Sequence, residues 1–244
     1  MKVVLFCGGL GTRLKAYSDT IPKPMVSIGS RPMIWHLMKY YAHYGHTEFI
    51  LCLGHLGDVI KEYFSNGEVA TGESWRITFL DTGLTACVGQ RLKAAESHVG
   101  NDEVFLANYT DALSDLHLPA YLEYFTSQDK IAAFACVRPH HTFHVVDLDD
   151  AGLVRDVRHV GSSGLRINGG FFAFKRAVFE HIRDGEDLVE EPFGRLIEVE
   201  QLVANRYDGF WAPMDTLKDK QQLEGMLEAG NGPWRVWAEP SRTA

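Results

Sequence analysis

The chain has 244 residues, 45% hydrophobic and 23% charged, which is ordinary globular composition. A chain this long can bury a core that needs neither disulfides nor a structural metal. Its 24 basic and 32 acidic residues leave a net charge of −8, which argues against the broad basic face that nucleic acid requires.

In chain order, "KVVLFC" is a short apolar, β-branched run that meets glycines at once, the pattern of a buried parallel strand. "RPMIWHLMKYYAHYG" starts with Pro32 near a first helical turn and stops at Gly45, so it predicts a helix. "TEFILCLG" predicts a strand, "DVIKEYF" a short helix and "WRITFLDTG" a strand. "SNGEVATGES" is the expected mobile loop. "DEVFLANYTD" predicts a strand leading into a turn, "LPAYLEYFTSQ" a helix and "KIAAFACVRP" a strand. "HVVDLDDAGLVRDVRHV" predicts a hairpin turning at Asp150–Gly152. "INGGFFAFK" predicts a strand; "RAVFEHIRD", "PFGRLIEVEQL" and "LKDKQQLEGMLEAG" predict helices. The tail after Gly230 is expected to be loosely tied. Strands alternating with helices at this spacing imply an open, mostly parallel α/β sheet with helices on both faces, in a single domain over 1–244.

The four cysteines, Cys7, Cys52, Cys87 and Cys136, are far apart and form no C-x-x-C, so buried reduced thiols are expected. No apolar stretch has transmembrane length, and the run Val3–Cys7 is too short for a signal peptide. A cytoplasmic protein without membrane or nucleic-acid partners is the expectation.

Ligands of such sheets bind at the carboxyl ends of strands. There the chain places "FCGGLGTRL", residues 6–14. Gly8, Gly9 and Gly11 can adopt backbone angles closed to other residues, and their N–H groups can converge on an anion. The P-loop template fails because no Gly-Lys pair exists. The dinucleotide template fails because Leu14 stands where its third glycine belongs. A glycine loop carrying its own cation, Arg13, remains. "IPKPMV" then mounts Lys23 between two prolines, a stiff, non-helical presentation suited to a phosphate.

GG-x-GTRL followed by PKP resembles the sugar-1-phosphate nucleotidyltransferases, also called nucleotide-sugar pyrophosphorylases. "PMIWHLMKYYAHYG", "VIKEYF", "DTG", "GQRLK", "YTD", "INGGFF" and "GFWAPMDTLKDK" extend the resemblance over roughly residues 1–237. It implies a Rossmann-like, three-layer fold of the nucleotide-diphospho-sugar transferase type. It implies transfer of a nucleotidyl group, with CTP favoured, to a sugar 1-phosphate such as glucose 1-phosphate, and release of pyrophosphate. Such in-line transfer needs positioning and charge neutralisation rather than a side-chain nucleophile.

By the same resemblance, Gly8, Gly9, Gly11 and Thr12 hold the nucleotide. Arg13 faces the leaving pyrophosphate, Lys23 the α-phosphate, and Arg91 adds a contact near the nucleotide. Asp111 and Asp215 match the metal-binding aspartates of a Mg²⁺-dependent enzyme. The alternative for each aspartate is a turn or helix cap, which the helix after Asp215 keeps open. Asn168 and Gly169 resemble the segment that grips the sugar; a β-bulge is the alternative for the glycines. A homo-oligomer is expected.

Three departures stand out. The family's Glu-Lys-Pro is replaced by Arg158, His159 and Val160, which puts a histidine where a lysine meets the acceptor phosphate. The family's Tyr-Gly-Asp has become "YTD", with Thr110 in the glycine's place. The loop after Phe64 is short. The histidines His140, His141 and His144 either line the acceptor pocket or belong to a surface loop; no His-Glu-x-x-His supports zinc. Trp35, Tyr40, Tyr41 and Tyr44 are expected in the core or at a subunit interface, and Trp211 beside the ligand. Two other classes compete: a regulatory subunit that binds nucleotide sugar without catalysis, opposed by Arg13, Lys23, Asp111 and Asp215, and a nicotinamide-dependent oxidoreductase, opposed by the missing glycine.

Overall fold

A computed structural model of the chain describes residues 1–9, 20–65, 72–140 and 142–238. The first strand, β1 (Val3–Phe6), is buried along its whole length. Successive side chains of a strand point to opposite faces. Val3, Leu5 and Cys7 accordingly enter one apolar cluster, and Val4 and Phe6 a second. Between these two cores lies the central sheet.

After β1 come two short paired segments, β2 (Ser27–Ile28) and β3 (Arg31–Pro32). The helix α1 (Met33–His43) starts directly after Pro32, whose φ of −68° and ψ of 154° are extended. It stops at Gly45, which turns the chain with φ +85°. Then follow β4 (Glu48–Leu53), α2 (Gly57–Ser65), β5 (Arg76–Asp81), α3 (Val88–Ala94) and α4 (Glu96–Val99). The second half holds β6 (Val104–Tyr109), β7 (Ala112–Ser114), α5 (Leu118–Gln128) and β8 (Ala132–Val137). The hairpin strands β9 (His144–Leu148) and β10 (Val154–His159), then β11 (Ile167–Asn168) and β12 (Phe172–Lys175), come next. The last elements are α6 (Glu191–Glu198), β13 (Leu202–Arg206), β14 (Trp211–Pro213) and α7 (Leu217–Glu228).

The sheet runs β11-β8-β12-β6-β1-β4-β5, with β13 also paired to β8. The pairs β1–β4, β1–β6, β4–β5 and β8–β13 are parallel. Only β11 and β12 run against their neighbours. Side chains from α1, α2, α5 and α7 fill one core; those from α3, α4 and α6 fill the other. The expected mostly parallel, three-layer α/β fold is therefore present. Among the described residues no helix is long and apolar enough to cross a membrane.

Several local readings need correction. "INGGFFAFK" is two strands, because Gly170 (φ +76°) and Phe171 (φ +51°) turn the chain between them. "RAVFEHIRD" forms a 3-10 helix over Arg176–His181, not an α-helix. The helix in "PFGRLIEVEQL" ends at Glu198, and the following "LVANR" is β13, captured by the edge of β8. "GQRLK" lies on α3, which periodicity over so few residues does not announce.

The tail after Gly230 is anchored rather than loose over its described residues, 231–238. Trp234 is fully buried, and its Nε1 donates to His36 Nδ1 at 3.4 Å. Indole is a donor only, so the His36 proton sits on Nε2, which donates to the Ile28 carbonyl at 3.0 Å. Burial lowers the His36 pKa to about 4 and keeps the ring neutral. Most of the expected loop at "SNGEVATGES", residues 66–71, lies outside the described residues.

Candidate active site

The parallel strands β1 and β6 end side by side, and their carboxyl ends floor a cavity of about 630 Å³. Its walls include Gly8, Gly9, Lys23, Thr85, Cys87, Arg91, Tyr109, Thr110, Asp111, Asp187 and Asp215. Crevices at strand carboxyl ends are where α/β folds bind ligands.

The two expected metal-binding aspartates meet here through the antiparallel pairing of β7 and β14, with Ala112 opposite Pro213. The Met214 N–H donates to the Asp111 carbonyl at 2.8 Å. That crossing brings together the residues just outside each strand. The capping alternative for Asp215 falls away. Thr216 caps α7 by accepting from the Asp219 N–H at 3.2 Å, and Asp219 Oδ2 accepts from the Thr216 and Asp215 N–H groups at 2.8 and 3.0 Å. The Asp215 carboxylate is thereby left to face the cavity.

Lys23 lies between the two carboxylates. Its Nζ donates to Asp111 Oδ2 at 2.8 Å and to Asp215 Oδ1 at 2.6 Å. The side chains of Lys23 and Asp215 are 13% and 16% exposed, that of Asp111 38%. Burial disfavours the ammonium, but the two carboxylates outweigh it and raise the Lys23 pKa above its ordinary value. The expected non-helical mounting is corrected in detail: Lys23 opens a one-turn 3-10 helix, Lys23–Met25, after an extended Pro22. Two carboxylates converging on one cation form a hard-oxygen donor set of the kind that suits a divalent cation.

Arg91, expected near the nucleotide, does line the cavity, but its guanidinium is spent on the protein. It donates to the Gly8 carbonyl at 3.0 Å, the Leu53 carbonyl at 3.0 Å and Thr82 Oγ1 at 2.5 Å. These groups sit at the ends of β1, β4 and β5, so one side chain ties three strand ends together. A Cβ on Gly8 would fall 2.0 Å from Arg91, which explains the glycine. Among the described residues nothing lies within 4 Å of the equivalent position on Gly9. Gly11, Thr12 and Arg13 lie outside the described residues.

Thr110, standing in for a family glycine, turns its hydroxyl onto the Phe6 carbonyl at 2.9 Å. The extra side chain is absorbed by the end of β1. Cys7 and Cys52 are buried free thiols beneath the cavity floor. Burial raises both pKa values, that of Cys52 to about 12, so neither offers a thiolate.

Asn168 and Gly169, expected to grip the sugar, lie outside the cavity lining; Asn168 Nδ2 donates to the Tyr109 hydroxyl at 3.4 Å, while its Oδ1 accepts from Gly170 at 2.9 Å. Gly169 is committed to the fold. Its N–H donates to the Ala135 carbonyl at 2.8 Å, its carbonyl accepts from Trp211 Nε1 at 2.9 Å, and a Cβ there would lie 2.8 Å from Val137. Protein neighbours thus account for the small residue. Trp211 itself braces this bend.

His159 ends β10, outside the cavity lining, with its ring 5.8 Å from that of His144. His140 is exposed, and its Nε2 lies 3.4 Å from Gln222 Nε2; His141 lies outside the described residues. Among the described residues no three His, Cys, Asp or Glu side chains group around a metal position. Tyr40 and Tyr41 are core residues, while Trp35 and Tyr44 are half-buried.

The motif reading did not find Asp187 and Tyr109. Burial, with the nearby Asp187 charge second, raises the Tyr109 pKa. Asp187 sits in "GEDLVEEP", whose acidic run reads as ordinary surface. Only its packing on α3 brings it to the cavity: Cys87 Sγ donates to the Glu186 carbonyl at 2.7 Å, and a Cβ on Gly89 would lie 2.2 Å from that same oxygen.

Fold and cavity together define a class, the nucleotide-diphospho-sugar transferase fold with a site of paired carboxylates and a lysine at the carboxyl edge of its sheet. HddC from Yersinia pseudotuberculosis, solved in complex with GMP-PN, shares this fold at a TM-score of 0.70 and 22% identity, with 93% of this chain and 99% of that one covered. Residues 2–212 match the family described as nucleotidyl transferase. The chain is also 38% identical to the glucose-1-phosphate cytidylyltransferases of Salmonella typhi and Salmonella typhimurium, across 97% of its own length and 100% of theirs. The chain belongs to the nucleotidyl transferase family.

Proposed function

We propose that the chain transfers the cytidylyl group of CTP to glucose 1-phosphate and releases pyrophosphate. A phosphate oxygen of the sugar phosphate attacks the α-phosphorus, and the bond from that phosphorus to the β-phosphate bridging oxygen breaks. The observation that carries this reading is the Lys23 ammonium poised between Asp111 and Asp215 in the cavity that Gly8 and Gly9 also line. Whole-length similarity to glucose-1-phosphate cytidylyltransferases supports the choice of substrates.

In this reading the N–H groups of the glycine turn, with Gly11, Thr12 and Arg13, cradle the triphosphate, and Lys23 serves the α-phosphate. Arg91 holds the turn in place rather than touching the nucleotide. Asp111 and Asp215 are the residues that would hold Mg²⁺, whose chemistry there is neutralisation of the triphosphate charge. Asn168 and Tyr109 form the acceptor wall. A cytoplasmic, homo-oligomeric enzyme goes with this reading.

The test is pyrophosphate release with Mg²⁺, comparing CTP, UTP, dTTP, ATP and GTP against glucose 1-phosphate and other sugar phosphates. Release with CTP and glucose 1-phosphate well above every other pairing is expected; release only with another pairing would move the enzyme to different substrates. The hairpin carrying His159 springs from the site-facing end of β8, which keeps this residue the candidate partner of the acceptor phosphate. His159→Lys is expected to lower the KM for glucose 1-phosphate several-fold, since a permanent cation replaces a conditional one. An unchanged KM would remove His159 from the site.

A further inference from the structure

The space between Asp111 and Asp215 is already taken in this chain. Lys23 Nζ lies within 2.8 Å of one carboxylate and 2.6 Å of the other, on a side chain only 13% exposed. A Mg²⁺ ion takes carboxylate oxygens at about 2.0–2.1 Å, so it needs the same place. Two cations that close repel strongly. The ammonium has little freedom to retreat through its backbone, because Lys23 begins a one-turn helix flanked by Pro22 and Pro24. The cavity remains, which Lys23 lines together with Gly8 and Gly9.

We propose that Lys23 is the resident counter-ion of the cation site: it keeps Asp111 and Asp215 closed in the free protein, and yields them when a nucleoside triphosphate draws its ammonium to phosphate oxygens. The inference rests on the reading that these two aspartates hold the metal. It makes triphosphate and divalent cation cooperative ligands, since each favours the arrangement in which Lys23 has left the carboxylates. The cation therefore enters with the triphosphate or after it, and the same displacement delivers Lys23 to the phosphates.

The test uses Mn²⁺ alone with the nucleotide-free, full-length protein, and reads unbound Mn²⁺ by electron paramagnetic resonance. Lys23→Met is expected to bind Mn²⁺ roughly 5- to 150-fold more tightly than wild type, the usual span of coupling between sites. Adding Asp215→Asn to that variant is expected to abolish the gain. Thermal melting provides a second reading: in chelator the variant melts below wild type, and Mn²⁺ raises its Tm by more than it raises that of wild type. A folded Lys23→Met that binds Mn²⁺ no better than wild type, or shows an equal Mn²⁺ shift, overturns the inference. If Mn²⁺ still binds both proteins and Asp215→Asn removes it, only the role of Lys23 fails. If neither protein binds Mn²⁺ and Asp215→Asn changes nothing, the metal assignment fails as well.

Discussion

Asp111→Asn and Asp215→Asn are each expected to lower kcat by about 10³-fold or more, while the protein stays folded. Loss of a single electrostatic stabiliser in a water-excluded site typically costs 10²–10³ in rate, and each of these changes also weakens a proposed cation site. The fold should survive because each change leaves Lys23 one carboxylate, at 2.6 or 2.8 Å. The strand crossing that places these residues is held by backbone groups, including the bond from Met214 N–H to the Asp111 carbonyl. Pyrophosphate release at saturating substrates reads the first quantity and far-ultraviolet circular dichroism the second. Near-normal turnover in both variants would end the metal assignment.

Arg91→Met is expected to cost about 1–3 kcal/mol of stability. Arg91 is 4% exposed and serves three acceptors, the carbonyls of Gly8 and Leu53 and the hydroxyl of Thr82. Removing it takes the Gly8 carbonyl's donor, at roughly 1–3 kcal/mol for a buried acceptor left unsatisfied. The Leu53 carbonyl still accepts from the Thr82 N–H and hydroxyl at 3.0 and 2.6 Å. For a chain of this size the loss corresponds to a Tm drop of roughly 2–12 °C.

Activity should fall further than stability explains, with a raised KM for the nucleotide, because the Gly8 carbonyl that Arg91 holds belongs to the segment proposed above to receive the triphosphate. Arg91→Lys should not rescue it, since one ammonium cannot reproduce the planar fork that reaches three strand ends. A variant with wild-type Tm and nucleotide KM would show that the turn holds itself.

The strand and helix alternation was legible because burial stamps a period on the sequence: "KVVLFC" and "TEFILCLG" are continuous apolar runs, as interior parallel strands must be. The hairpin at Asp150–Gly152 was equally plain, since Gly152 with φ +81° and the Asp149 side chain make its turn locally. Lys23, Asp111 and Asp215 were visible as residue types in recognisable motifs. Their meeting was not, because it depends on β7 pairing with β14 across the chain.

Arg91 shows the limit from the other side. A basic residue in a motif suggests a ligand contact; here three of its hydrogen bonds go to the ends of β1, β4 and β5. Gly169 likewise suggests ligand approach, whereas Val137 and Trp211 decide its size. Trp234 and β13 lie where local pattern predicts a loose tail and a continuing helix. Burial against His36 and an open edge on β8 decide otherwise.

The sequence by itself determined the α/β architecture, the glycines that follow the first strand and the inventory of charged groups, because periodicity and composition are local properties. The tertiary structure alone decided which charges face the cavity, which are spent on backbone carbonyls, and that an ammonium rests between two aspartates. Those outcomes are set by contacts between residues far apart in the chain, and no local pattern encodes them.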